Sequence, residues 1–351
     1  MKITEIPVEG YERVARCIDD ASGLHALIAV HNTTLGPALG GMRLWDYASE
    51  DEALFDVLRL AKGMTYKSAV ADTGLGGGKS VIIGDPERVK SAALFEAMGR
   101  FVNQFGGKYI TAEDMNIGIE DLRSVRQTTR HVTGLSREEG GSGNPSPYTA
   151  YGCVVGIRAA AQHKFGTQDL AGKHVLIQGV GAVGSEMARL LKERGARITI
   201  CDIRDDRVAK LAAEHGYETV DDEAHLSVDC DIYAPCARGA GLNDETIPQL
   251  KCQVVAGCAN NQLLEPRHGE ALRQRGILYV PDYVINAGGI INVSVELRTG
   301  GYDEPFAIRK IDTIYENLEQ VFAISEREGI ATNIASERLA ERRLDAAKQE
   351  A

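Results

Sequence analysis

Residues Lys173–Ile203 read KHVLIQGVGAVGSEMARLLKERGARITICDI. A short apolar run, VLIQ, leads into Gly179-Val180-Gly181-Ala182-Val183-Gly184, which fits G-x-G-x-x-G, and SEMARLLKE then has the composition of a helix. A second apolar run ends at Asp202, eighteen residues past the last glycine. Strand, glycine turn, helix and strand within about thirty residues is the sequence form of a βαβ unit. The glycine pattern alone is weak; this context makes it a dinucleotide site. Gly179 permits the tight turn, Gly181 lets backbone N–H groups approach a pyrophosphate at the helix N-terminus, and Gly184 lets helix and strand pack closely. Asp202 is expected to accept hydrogen bonds from the adenosine ribose and to repel a 2′-phosphate. The expected cofactor is therefore NAD rather than NADP, with Arg204, two residues on, opposing that preference.

Working outward, DCDIYAPC (229–236), QVVAGCAN (253–260) and GILYVPD (276–282) read as further strands, and TAYGCVVGIRAAAQHKF (149–165) as an apolar helix. Together they predict a doubly wound parallel sheet. IRKIDTIYENLEQVFAISEREG (308–329) places Ile308, Ile311, Ile314, Leu318 and Phe322 on one face and predicts one long helix stopping at Gly329. Upstream, EEGGSGNPSP (138–147) marks a loop or hinge. Before it, ALIAVHN (26–32), SVIIGDP (80–86) and KYITAED (108–114) read as strands, alternating with helices in EDEALFDVLRLAKGM (50–64) and AALFEAMGRFVNQF (92–105).

The expected fold is α/β with two domains separated by a cleft. The first, residues 1–145, is an α/β substrate-binding and oligomerisation domain; the second, 146–325, is a Rossmann-type NAD-binding domain. Helices in 326–351 are expected to return to the first. The length of 351 residues suits two domains. With 39 Lys+Arg against 50 Asp+Glu the net charge is −11, which argues against nucleic acid as a partner. No run of about 18 apolar residues and no apolar leader in MKITEIPVEG is present, so a cytoplasmic protein without membrane contact is expected. The seven cysteines contain no C-x-x-C pair and read as small buried hydrophobes. The eight histidines lack ligand spacing, so no metal is expected; His163, His174, His225 and His268 read as surface positions.

A second cluster joins Lys62-Gly63-Met64-Thr65-Tyr66-Lys67 to Gly74-Leu75-Gly76-Gly77-Gly78-Lys79-Ser80. Gly78-Lys79-Ser80 mimics the end of a phosphate-binding P-loop, but Thr73 stands where that motif opens with glycine. A lysine among glycines, just before the apolar run VII, is an unusual place for a solvated charge. Burial there would lower its pKa and fit Lys79 for acid–base work near neutrality. Asp114, at the end of a predicted strand, is a plausible partner, although alternation cannot choose between it and Glu113.

The segments GPALGGMRLW (36–45), LRLAKGMTYK (58–67), LGGGK (75–79), YITAED (109–114), SGNPSP (142–147) with TAYG (149–152), IYAPCA (232–237), VVAGCANNQL (254–263) and ILYVPDYVINAGG (277–289) occur in order along nearly the whole chain. So ordered, they resemble the amino-acid dehydrogenase family that includes glutamate, leucine, phenylalanine and valine enzymes, and most of all its leucine-acting members. The resemblance implies reversible oxidative deamination of an L-amino acid to a 2-oxo acid and ammonia by a homo-oligomer. It implies that Lys67 binds the substrate carboxylate, that Lys79 activates the water attacking the imine, and that Asp114 shuttles protons. Asn260 and Asn261 would lie near the nicotinamide ribose, with Asn286 close to the reacting groups. Glutamate enzymes of the family carry lysine where this chain has Leu39, and an unpaired second carboxylate would be costly to bury. The implied pocket of Leu39, Gly40, Met64, Ala112, Thr133, Ile290 and Val293 is apolar and suits leucine, isoleucine and valine. Met42 and Asn116 depart from the leucine pattern, which leaves an aromatic substrate, phenylalanine or tryptophan, as the alternative. A non-catalytic NAD-binding module is the rival of another class; it would need none of Lys67, Lys79 and Asp114.

Overall fold

The computed structural model of the chain describes residues 1–350. The chain forms two compact units. The first comprises Met1–Asn144, Val293–Asp303 and the residues from Ala340 on; the second comprises Pro145–Asn292 and Glu304–Leu339.

The first unit contains β1 (Lys2–Glu5), β2 (Arg13–Asp19), β3 (Leu24–Asn32), β4 (Ala38–Trp45), α1 (Glu50–Val70), β5 (Gly76–Ile83), α2 (Pro86–Val89), α3 (Ala92–Asn103), β6 (Tyr109–Glu113) and α4 (Ile119–Arg126). Its sheet runs β1-β2-β3-β5-β4-β6, with antiparallel pairing from β1 to β5 and parallel pairing of β4 with both β5 and β6. Both faces are covered. Ile28, Met42, Phe95, Met98, Phe101 and Tyr109 form one core, while Leu27, Ala29, Val57, Ala61 and Val81 form the other, beneath α1. The hydroxyl of Ser49 caps α1 by accepting from the Glu52 N–H, and Glu50, Asp51 and Glu52 fill a first turn that favours negative charge. Gly77 lets α1 settle closely, since a Cβ there would lie 2.0 Å from Thr65 N. The strand read as beginning after Lys79 begins at Gly76, so Lys79 is a strand residue rather than part of a loop.

In the second unit the elements are α5 (Ser146–Phe165), β7 (His174–Gln178), α6 (Ala182–Glu193), β8 (Arg197–Cys201), α7 (Asp205–His215), β9 (Glu218–Thr219), β10 (Ile232–Pro235), β11 (Val254–Val255), α8 (Arg267–Gln274), β12 (Leu278–Tyr279), α9 (Asp282–Ile285), α10 (Gly288–Ser294), α11 (Glu304–Asp312), α12 (Ile314–Glu328) and α13 (Thr332–Glu350). Helix α10 ends, and α13 finishes, in residues of the first unit. All strands of the sheet β12-β11-β10-β7-β8-β9 are parallel. The chain winds outward from β7 to β9, then crosses back to β10 and winds the other way. Such a switch, here between β7 and β10, is where open α/β sheets bind ligands.

Several expectations need correction. The long helix of 308–329 is two helices, because Thr313 turns its hydroxyl onto Lys310 O at 2.7 Å and interrupts the ladder. Residues 326–339 stay with the second unit. Thr332 Oγ1 donates to Tyr279 O (2.6 Å), Asn333 Nδ2 to Pro266 O (3.0 Å) and Tyr283 OH to Ser336 Oγ (2.8 Å), so the return begins at Ala340. Val293–Asp303 belongs to the first unit, where the Glu296 carboxylate accepts from Gly134 N and Ser142 N. His174 and His268 are buried rather than on the surface. His174 bonds Thr199 Oγ1 and Asp229 O, and His268 Nδ1 accepts from Glu265 N. Five cysteines are buried; Cys236 and Cys258 are half-buried. Among the described residues no helix is long and apolar enough to cross a membrane.

Candidate active site

Three adjacent strands of the first unit build the lysine site. Met42 of β4 pairs with Ser80 of β5, and Gly41 of β4 pairs with Ala112 of β6, so Gly41 stands between Lys79 and Ala112. Side chains alternate along a strand, which puts Leu39, Lys79, Ala112 and Asp114 on one face, the face α1 covers. Gly41 has no side chain to separate the charged pair; a Cβ there would lie 2.8 Å from Asp114 Cβ and 2.5 Å from Glu113 O. Lys79 Nζ is thereby in contact with Asp114 Oδ2. The structure thus chooses Asp114 over the exposed Glu113.

Lys79 is 4% exposed. Burial pushes its pKa down to about 7; the cations Arg43 and Lys67 add to the fall, and the Asp56 carboxylate opposes it. Asp114 Oδ1 also accepts from Met115 N at 2.6 Å and lies 3.8 Å from Arg43 Nη2. Lys67 and Met64 are half-buried on α1, one turn apart. Thr133 is buried, its N–H and hydroxyl both directed at Thr111 O. Gly40 cannot carry a side chain, because its Cβ would meet Gly78 O at 1.7 Å. Met42, a departure from the leucine pattern, points to the opposite face and is part of the core with Tyr109. Asn116, the other departure, has φ +60° and donates from Nδ2 to Leu44 O. Ile290 and Val293 lie one turn apart on α10, in the second and first units respectively.

In the second unit the glycine turn follows β7. Gly179 has φ +96°, and a Cβ there would strike Ala237 at 2.6 Å; a Cβ on Gly184 would meet Gly179 O at 2.0 Å. Gly181, by contrast, faces open space. Val180 continues the turn, and Ala182 and Val183 open α6. Asp202 directly follows β8 and accepts from Val180 N at 2.8 Å and from Arg204 N at 3.0 Å. Arg204 is paired with Asp206 through two contacts of 2.9 Å. Asn286 is buried and donates to Asn260 Oδ1 (2.8 Å) and Cys258 O (3.1 Å), while Asn261 occupies a left-handed turn, φ +52°. Cys201, Asp222 and His225, without ligand spacing in the sequence, converge within 4.8 Å.

The sequence reading missed Gly41, Arg43 and Asp56. Gly41 was visible as the last glycine of GPALGG, but its role depends on strand order. Arg43 Nη1 bonds Asp56 Oδ2 at 2.8 Å, and Asp56 also accepts from Tyr47 OH and Arg59 Nη2.

Residues 12–131 match the family described as Glu/Leu/Phe/Val dehydrogenase, dimerisation domain; residues 140–205 and 199–302 match Glutamate/Leucine/Phenylalanine/Valine dehydrogenase. Leucine dehydrogenase from Geobacillus stearothermophilus is 54% identical, over 95% of this chain and 91% of its own. Valine dehydrogenase from Streptomyces virginiae is 46% identical over 97% and 95%. The crystal structure of L-tryptophan dehydrogenase from Nostoc punctiforme is similar with a TM-score of 0.87 and 41% identity, covering 97% of each chain. With both family regions matched in order and such relatives aligned over nearly the whole length, the chain belongs to the Glu/Leu/Phe/Val amino-acid dehydrogenase family.

Proposed function

We propose that the protein catalyses the reversible NAD-dependent oxidative deamination of branched-chain L-amino acids, L-leucine with L-valine and L-isoleucine, to 2-oxo acids and ammonia. The observation that carries this reading is the pairing of buried Lys79 with half-buried Asp114 on a sheet face whose neighbouring side chains, Leu39 and Ala112, are apolar. Lys67 holds the substrate carboxylate as a point cation. Once the Cα–H is lost as hydride, neutral Lys79 takes a proton from the water that attacks the iminium carbon. Asp114 moves protons between water and the leaving amine. Bound NAD supplies the hydride acceptor. Gly179 to Gly184 fit its pyrophosphate, and each Asp202 oxygen keeps a lone pair for a ribose hydroxyl. Arg204, engaged by Asp206, leaves the Asp202 charge to disfavour a 2′-phosphate. Asn260, Asn261 and Asn286 serve the nicotinamide end. Leu39 offers no charge to a side-chain carboxylate, so glutamate is excluded.

Two findings favour a homo-oligomer: the first region's family description as a dimerisation domain, and the large apolar side chains Trp45, Phe55 and Met115 exposed on that unit. The test of function is NADH formation across a panel of L-amino acids. We expect kcat/KM for leucine, valine and isoleucine to exceed that for phenylalanine and tryptophan by about tenfold or more, and NAD to be preferred to NADP. A higher value for an aromatic substrate would transfer the assignment to that class.

A further inference from the structure

One guanidinium in the first unit stands between two carboxylates and bonds only one of them. Arg43 Nη1 lies 2.8 Å from Asp56 Oδ2, whereas Nη2 remains 3.8 Å from Asp114 Oδ1, beyond hydrogen-bond reach. Its Nε is buried with no hydrogen-bond partner among the described residues. A free guanidinium would turn its fork onto a carboxylate and satisfy more of its N–H groups. What prevents this is the anchoring of Asp56, which also accepts from Tyr47 OH at 2.7 Å and Arg59 Nη2 at 3.0 Å and sits on the capped helix α1. We propose that Asp56 and Arg43 are positioning residues for the reaction: Asp56 holds Arg43 back from Asp114, so that Asp114 remains the partner of Lys79.

The charged groups facing Lys79 are Arg43 from β4, Asp56 and Lys67 from α1, and Asp114 past β6. Removing the Asp56 charge takes an anion from this set and frees Arg43 to capture Asp114. Both effects make Lys79 easier to deprotonate. Removing the Arg43 charge does the opposite. The two halves of one ion pair therefore act on the proton of Lys79 with opposite sign; a pair that only pinned α1 to the sheet, out of reach of Lys79, would move that proton in neither direction.

The inference rests on the proposed deamination, and the experiment separates the two. The pH dependence of kcat/KM for L-leucine is measured for the wild type, Asp56→Asn, Arg43→Gln and the double variant. The acid limb, set by Lys79, should move to lower pH in Asp56→Asn and to higher pH in Arg43→Gln, each by about half a pH unit or more. It should return toward the wild-type position in the double variant. Acetic anhydride labelling of Lys79 against pH, read by mass spectrometry, follows the same proton without turnover. It also decides for any variant too inactive to assay, and Arg43→Lys replaces Arg43→Gln, with no shift expected, if the latter fails to fold. Limbs that move together, or activity lost without movement, would overturn the inference and leave the deamination reading standing. A wild type that fails to oxidise any branched-chain amino acid would overturn that reading itself.

Discussion

An ammonium group enclosed by protein loses hydration that its partners replace only in part, and Lys79 is held near neutrality for that reason. The proposed acid–base step needs the neutral form, so kcat/KM for deamination should rise as pH increases through about 7 and level off above it. Lys79→Ala removes the proposed base while leaving the glycine turn of the other unit untouched. We expect kcat to fall by roughly 10²–10⁴-fold, with NAD affinity by fluorescence titration unchanged; turnover near the wild-type value would remove Lys79 from the mechanism. The residue types were legible in the sequence: lysine among glycines is conspicuous, and an aspartate after a strand is its natural partner. Which acid it takes was not, because Glu113 and Asp114 differ only in the pleat, and the pleat has meaning only once β4 separates β5 from β6. Arg43 and Asp56 stayed hidden for a related reason. Their pairing depends on how α1 docks on the sheet, and no spacing of thirteen residues announces it.

At the level of elements, the parallel sheet of the second unit was readable because each strand carries an apolar run and the first turn carries its glycines. The sheet of the first unit was harder. Its strands β1 to β3 and β5 are antiparallel, while β4 inserts between β5 and β6, an order no local pattern encodes. That insertion gives Gly41 its importance. In Gly41→Val the new side chain would meet the Glu113 carbonyl and Asp114 Cβ, neither of which is a flexible tip. The strands would have to part. We expect about 1–3 kcal/mol lower stability in chemical denaturation, and a loss of activity larger than that loss of folded protein explains. An active, equally stable variant would show that Lys79 and Asp114 do not need the gap.

Across the whole molecule, the first unit is built from three separate stretches of chain. The last of them carries Arg343, whose Nη1 donates to Ala69 O and Val70 O and so satisfies carbonyls at the C-terminal end of α1, and Glu341, which accepts from Tyr66 OH. The sequence suggested a returning C-terminus but placed its start too early, since the polar anchors of Thr332, Asn333 and Ser336 have no signature of their own. Replacing Arg343 with Met, similar in length but without donors, should cost about 1–3 kcal/mol of stability and weaken substrate binding more than NAD binding, because Lys67 lies on the last turns of α1. Equal losses in both would show that Arg343 acts only on global stability.

This arrangement has a consequence for biosynthesis. The ribosome releases β1 through β6 first, yet the stretch that closes the end of α1 follows only after the second unit's residues up to Leu339. The helix bearing Lys67 and Asp56 therefore waits, unfinished, while Pro145–Leu339 are made, so the proposed amino-acid site matures after the glycine turn of the second unit has already emerged.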